Sequence, residues 1–423
     1  MIINIKNIEY SKISSFADKL LILFILCFSF FVSFHPVVGK YLVNNMFYIW
    51  LISLNFKNIF FYLKNNKIFL FIIIFFLWIT FTVIIIPTTN YYNYDNFIKY
   101  FLLPILIIIT TIKKEHIKYI ISAFLAGMFI NELISYGIYF ELIQNSFLGF
   151  NIVGNKFNPV PFLTSHIEYT LFLSFTIIVS LFSIFTINSK FLKVLLSLFI
   201  TTMTINLFIT TGRTGQFTLL MTIIFLIIIY FRHNIKYIML SFVTIFSVFI
   251  LAFNFSSNTN TRLQQGYSDI IKLIENKDYN TSFGIRLTSY IIIPDIIKDE
   301  RFNLFYGMGY CEKDRIIQDI QIKKIGTFME GTFGHLHNTY IALLAGTGFV
   351  GIIIFLILWY YLFTLKIEDG YINYIRYSFF FVISFGGISS ELFWQKEVML
   401  LSAIFISIII YTTTNNKKEK INE

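Results

Sequence analysis

Charge is scarce in this chain. Only 13% of its 423 residues are Asp, Glu, Lys or Arg, against 57% hydrophobic residues, which leaves too little polar surface to solvate a globular protein of this length. A bilayer must be the solvent, as the mean hydropathy of +0.73 also says. Cysteine is scarcer still. Cys27 lies in an apolar run and Cys311 in a polar segment, so a disulfide between them is not expected, and the absence of a CxxC pair excludes the common metal and redox motifs. No stretch alternates polar and apolar residues over the ten or so positions that a spanning strand needs, which excludes a membrane β-barrel. No 20–50-residue repeat marks a solenoid or an array. The first apolar run starts near Leu20 and lacks a small-residue cleavage site after it, so it reads as a retained span rather than a signal peptide.

What is present is a succession of apolar runs, each about 18 residues or more and so long enough as a helix to cross about 30 Å of hydrocarbon. They fall at 20–38, 41–56, 67–86, 97–112, 117–140, 166–187, 191–210, 215–231, 236–254, 339–365, 372–389 and 397–413. The fold class expected is an all-α polytopic membrane protein of about twelve transmembrane helices. The net charge of +10 does not point to nucleic acid, because the cations sit in short clusters between apolar runs. Lys6, Lys12 and Lys19 precede the first run; Lys57, Lys64 and Lys67, then Lys113, Lys114 and Lys118, Lys190 and Lys193, Arg232 and Lys236, Lys366 and Arg376, and the tail Lys417, Lys418 and Lys420 fill every second break. By the positive-inside rule these breaks face the cytoplasm and both termini lie there. The expected organisation is a bundle over 1–254, a large loop with amphipathic helices over 255–336, a second set of spans over 337–413 and a cytoplasmic tail over 414–423. Within the loop, Pro294 should interrupt the helical pattern from Leu287 to Ile297.

Two segments on the far side concentrate the chemistry. In Thr211-Gly212-Arg213-Thr214-Gly215 the glycines let the backbone turn tightly and approach a ligand. The planar, permanently charged guanidinium of Arg213 suits bidentate contact with phosphate oxygens, although a lone arginine there also fits an anchor that snorkels to lipid headgroups. Arg286, in Thr281-Ser282-Phe283-Gly284-Ile285-Arg286, is a second cation able to clamp a diphosphate, with a solvated loop arginine as its plain alternative. His337, in Gly334-His335-Leu336-His337-Asn338-Thr339-Tyr340 directly ahead of a span, titrates near neutrality and can take a proton from an attacking hydroxyl. The small residues Gly346, Thr347, Gly348 and Gly351 should let a neighbouring helix pack close and fix it. His335 and Asn338 beside it, and His166 and Glu168 at the opening of another span, are candidates to line the same cavity. His335 and His337 alone make too sparse a set for zinc, and no metal or cofactor is expected. Glu391, Trp394 and Lys396 read as an anchored turn.

Taken in order, Thr-Gly-Arg-Thr-Gly at 211–215, Gly284-Ile285-Arg286 leading to Gly307-Met308-Gly309, and His337-Asn338-Thr339-Tyr340 followed by Gly348 and Gly351 resemble the O-antigen ligase and polymerase superfamily. The resemblance covers about residues 200–365. It implies a metal-independent glycosyltransferase of GT-C type in the bacterial inner membrane, acting at the periplasmic face on a glycan linked to undecaprenyl diphosphate. Carried over by motif, Arg213 and Arg286 would bind the donor diphosphate and His337 would activate the acceptor hydroxyl. In the ligase branch the acceptor is a lipid A-core sugar; in the polymerase branch it is another lipid-linked repeat; a third group uses protein acceptors. The phrases Ser-Phe-Gly-Ile-Arg, His-Asn-Thr-Tyr and Gly-Thr-Gly-Phe-Val-Gly favour ligase, while the missing glycine-threonine ending after Gly351 keeps polymerase open. The rival from another class, a lipid-linked sugar transporter or flippase, predicts repeats and mid-membrane charges that the sequence does not show. Membrane lipids are expected partners and nucleic acid is not.

Overall fold

The structure is a computed structural model that describes residues 2–422 except 145, 153, 163–164, 256 and 327–333. Each of the twelve expected segments is helical, and among the described residues the only strands are the two-residue pair Ser146–Phe147 and Phe150–Asn151. Among the described residues nine helices are long and apolar enough to cross a membrane, and the chain is an all-α polytopic membrane protein. Pro36–Ser53 is followed by a sharp bend of 82° into Asn55–Asn65, the geometry of a broken or re-entrant span. Ile235–Phe255 and Gly370–Ser389, both expected to cross, are helices outside that group of nine.

Two boundaries differ from expectation for reasons that lie in proline. The first helix, Ile2–Phe34, takes in the polar segment ahead of the apolar run and stops at His35, and the next begins at Pro36, because proline lacks an N–H and is at home in the first helical turn. The expected 97–112 run starts earlier, at Tyr92, and widens into a π-helical turn over Ile98–Leu102 just before Pro104. That wider turn accommodates a residue that cannot donate to the ladder.

The Lys396–Asn422 helix occupies the centre: 94% of its spanning window is buried, with Phe405 packed edge-on against Phe175 and Phe124. Helix His166–Thr186 lies between it and Arg213–Phe231. The latter pair approach closely, because any Cβ at Gly212 or Gly215 would run into Thr170; in their absence Ser174 Oγ donates to the Gly215 carbonyl at 2.8 Å.

The large segment after Phe255 is helical as expected, with Ser282–Ile291 and Ile293–Lys298 separated where Pro294 starts a new turn. Its attachment to the bundle was not foreseen. Gly351 does face a helix, through Trp78 of Lys67–Ile85, but Gly348 does not: it breaks the Thr339–Thr364 helix at φ 68°, and the turn around residues 303–309 fills the break. There Met308 N–H donates to the Ala345 carbonyl at 2.7 Å and Phe349 N–H to that of Leu304 at 2.9 Å. A side chain at 348 would collide with the Phe305 backbone and would have to adopt a left-handed conformation. At the other end of this helix Arg376, 2% exposed, donates to the carbonyls of Leu362 and Phe363, satisfying groups a helix C-terminus leaves open.

Gly215→Ala should overpack the contact with Thr170 at a cost of about 1–3 kcal/mol, read as a lower melting temperature of the purified protein in detergent; an unchanged melt would show that the two helices are not in intimate contact.

Candidate functional site

A cavity of about 430 Å³ opens at the end of the bundle where the large loop segment sits. Its wall is made by the turn at 155–158, by His166, and by Thr211, Arg213, Thr214 and Arg286. Two of the three principal candidates from the sequence therefore share one cavity, although they lie 73 positions apart with the helices Arg213–Phe231, Ile235–Phe255 and Ser257–Asn276 between them. A second cavity of about 380 Å³ lies at the opposite end, between Lys114, Lys118, Glu368 and Asp369, and contains none of the candidates.

Arg213 is the first residue of its helix, at the N-terminal end where unpaired N–H groups add positive potential. The strand of backbone leading into it is held by Thr211 N–H donating to Asn158 Oδ1 at 3.1 Å, and its guanidinium stands 3.9 Å from Asp269 of Ser257–Asn276. Arg286 rides on Ser282–Ile291, a helix capped by Thr281, whose hydroxyl accepts from Gly284 N–H at 3.0 Å. Burial first, and then the positive charge of Arg213, work against its cation and lower its pKa. The two arginines are thus close enough to repel in a partly dehydrated site, an arrangement that an anion between them would relieve.

A three-residue stretch at the end of Gly370–Ser389 ties these parts together. The Ser389 carbonyl accepts from Arg286 Nε at 3.4 Å, and Ser389 Oγ donates to Thr214 Oγ1 at 3.2 Å, next to Arg213. The Ile388 carbonyl accepts from Asn338 Nδ2 at 3.1 Å and from Tyr290 OH at 3.3 Å, one turn beyond Arg286. The Ser390 carbonyl accepts from Thr339 Oγ1 at 2.7 Å. Three sequence motifs converge on one short stretch that none of them contains, two on its backbone and one on the Ser389 hydroxyl.

His337 is not among the residues that line the cavity. It lies beside it, near enough to Arg286 to feel its charge. Its backbone is left-handed, φ 46°, unusual for a residue with a Cβ, and its Nε2 is buried with no hydrogen-bond partner among the described residues. Burial, reinforced by the charges of Arg286 and His335, pushes the imidazole down to about 4, so at neutral pH it is uncharged and able to accept a proton. The strained turn is held by a buried ion cluster. Glu391 accepts from Leu336 N–H and pairs with Lys313 at 2.8 Å; Lys313, wholly buried, also binds Asp314 and lies 4.4 Å from the centre of the Trp394 ring. Burial alone would raise the Asp314 carboxyl, but Lys313 and a hydrogen bond from Asn93 hold it below its ordinary value.

The remaining candidates divide. His166 lines the cavity. Glu168 instead forms a capping box with Ser165, accepting its N–H at 3.0 Å. Asn338 caps Thr339–Thr364 through Tyr340 and Ile341 N–H and clasps Tyr290, and His335 is exposed with its ring 6.4 Å from that of His337. Sequence reasoning passed over Ser389, Lys313 and Asp269 and took Glu391 for part of an anchored turn. A buried acid and base from distant segments leave no spacing signal; the one clue was Glu391 at the margin of an apolar helix, where a charge needs a partner.

Residues 196–356 match the family model described as O-antigen ligase. The matched segment contains Arg213, Arg286 and His337 and ends before the 388–391 stretch. It supports the O-antigen ligase and polymerase superfamily for this chain without separating the two branches. No curated protein matches the chain.

Lys313→Met would strand Glu391 and Asp314, an effect of about 3–5 kcal/mol for a buried pair broken on one side. Adding Glu391→Gln should recover part of the loss. Thermal melts in which Lys313→Met equals the unmodified protein would show that water already reaches the cluster.

Proposed function

We propose that this chain, whose 196–356 segment carries the O-antigen ligase match, is an O-antigen ligase: it moves a polysaccharide from undecaprenyl diphosphate to a lipid A-core sugar hydroxyl at the periplasmic face of the inner membrane. The observation that carries the proposal is the pair of guanidinium groups, Arg213 and Arg286, facing one cavity despite their mutual repulsion. Such a pair fits a ligand with two adjacent anionic groups, and a diphosphate ester is one.

In the proposed reaction the acceptor hydroxyl attacks the anomeric carbon of the donor. A new carbon–oxygen bond forms there, the bond from that carbon to the diphosphate oxygen breaks, and its electron pair leaves with the diphosphate. The arginines stabilise the growing charge on the leaving group, a task fixed cations perform without a metal. The hydroxyl proton passes to the unpartnered Nε2 of His337 and from there to solvent. The strained backbone of His337 and the Glu391–Lys313 pair beneath it set the direction of that nitrogen. With both termini in the cytoplasm, the cavity opens on the periplasmic side.

Polymerase is the second reading, kept by the departure after Gly351. Purified protein in vesicles, given a lipid-linked donor with either lipid A-core or a second lipid-linked repeat, separates the two by product.

In that assay, run in excess chelator, Arg213→Ala and His337→Ala should each lower turnover by about 10²-fold or more with membrane insertion intact. Arg213→Lys should also fail substantially, since a point charge cannot reproduce the bidentate contact; full transfer by any of the three would count against the assignment. The pH profile provides an independent check. Protonation of His337 removes the base, and its folded value is about 4, so the rate should hold through pH 6 and fall only as pH approaches 4. An acid limb centred near 6.5 would mean a solvated histidine or a different base.

A further inference from the structure

One wall of the cavity has no task in the chemistry above. The turn at 155–158 places Phe157 on the cavity lining, 75% exposed, with no other aromatic ring stacked on it among the described residues. Its surroundings are polar: Asn155 and Asn158 line the same cavity, and Lys156 is paired with Glu141 at 3.2 Å. The turn is also stiff. Asn155 Oδ1 accepts from the N–H groups of Phe157 and Asn158 at 2.9 and 3.1 Å. Asn158 Oδ1 in turn holds Thr211 N–H, so the turn is tied to the segment that begins the Arg213 helix. An exposed aromatic residue lining the same cavity as a pair of cations is a platform.

We propose that the 155–158 turn is a sugar-binding wall, on which the Phe157 ring stacks against the first sugar of the donor and Asn155 hydrogen-bonds one of its hydroxyls. This rests on the diphosphate assignment. A sugar joined directly to the diphosphate must lie within one ring's length of the arginines, and the surface that meets it there is this turn. One face of a pyranose is a sheet of C–H bonds carrying slight positive charge, which complements the negative face of an aromatic ring; the sugar's hydroxyls need partners once they leave water. The turn therefore selects for a glycan at the end of the lipid, rather than for the lipid diphosphate itself.

The test uses the full chain in phosphatidylethanolamine–phosphatidylglycerol vesicles, with Phe157→Ala, Phe157→Tyr and Phe157→Leu. Two quantities are read: KM for a polyprenyl-diphosphate-linked saccharide, and the inhibition constant of the bare polyprenyl diphosphate. The Ala and Leu variants should raise KM by about three- to ten-fold, the size of a lost aromatic contact. Tyr should restore it, and inhibition by the bare diphosphate should not move in any variant. Restoration by Leu as good as that by Tyr would overturn the wall in favour of a ring inserted among lipid chains. An unchanged KM in Phe157→Ala, or equal weakening of the bare diphosphate, would overturn it as well. If the unmodified protein is not inhibited by the bare polyprenyl diphosphate, the diphosphate assignment itself falls, and that result is visible without any Phe157 variant.

Discussion

The backbone at Ile388, Ser389 and Ser390 is the constraint that organises this end of the molecule. Its carbonyls receive a guanidinium N–H and a phenol from the Ser282–Ile291 helix, and a carboxamide and a threonine hydroxyl from Asn338 and Thr339, two separate stretches of chain. Carbonyl oxygens at the end of a helix lack partners within the helix, so donors that reach them are well rewarded, and donors that share one short segment are necessarily brought near each other. The positions of Arg286, of the helix entry at Asn338 and of Thr214 beside Arg213 follow from this single convergence.

Electrostatics then distinguishes scaffold from site. Lys313 and Glu391 are buried charges that compensate one another, with the half-buried Asp314 beside them, the usual condition under which such groups persist away from water. Arg213 and Arg286 share a cavity with like charge. The first arrangement stiffens the turn that carries His337; the second places two like charges on one cavity, where an anion would meet both. The two lie side by side on the same loop and helix ends.

The helices were largely legible from the sequence, because a bilayer demands long apolar runs and the chain has little else. The kinks were less so: Pro36 and Pro104 moved two boundaries, since a run of apolar residues says nothing of where a missing N–H must fall. Within the candidate site Arg213, Arg286 and His337 could be named because each sits in a short phrase of glycine and polar residues between apolar runs. What held them did not show. Ser389 offers mainly its backbone carbonyl, which every residue possesses, and Lys313 and Glu391 are 78 residues apart, so their pairing has no local trace. Glu168 and Asn338, candidates to line the cavity, also cap helix starts, a role that Ser165-x-x-Glu168 announces once the helix boundary is known.

The break at Gly348 has a consequence for how the protein is made. A spanning helix ordinarily completes its own backbone hydrogen bonds and is finished on insertion. Here Ala345 and Phe349 complete theirs with Met308 and Leu304, residues that precede the helix and belong to the hydrophilic segment. Membrane integration and maturation of the aqueous portion are therefore a joint event, and a chimera that exchanges that portion must import the matching turn or leave polar backbone exposed in the wall of the bundle.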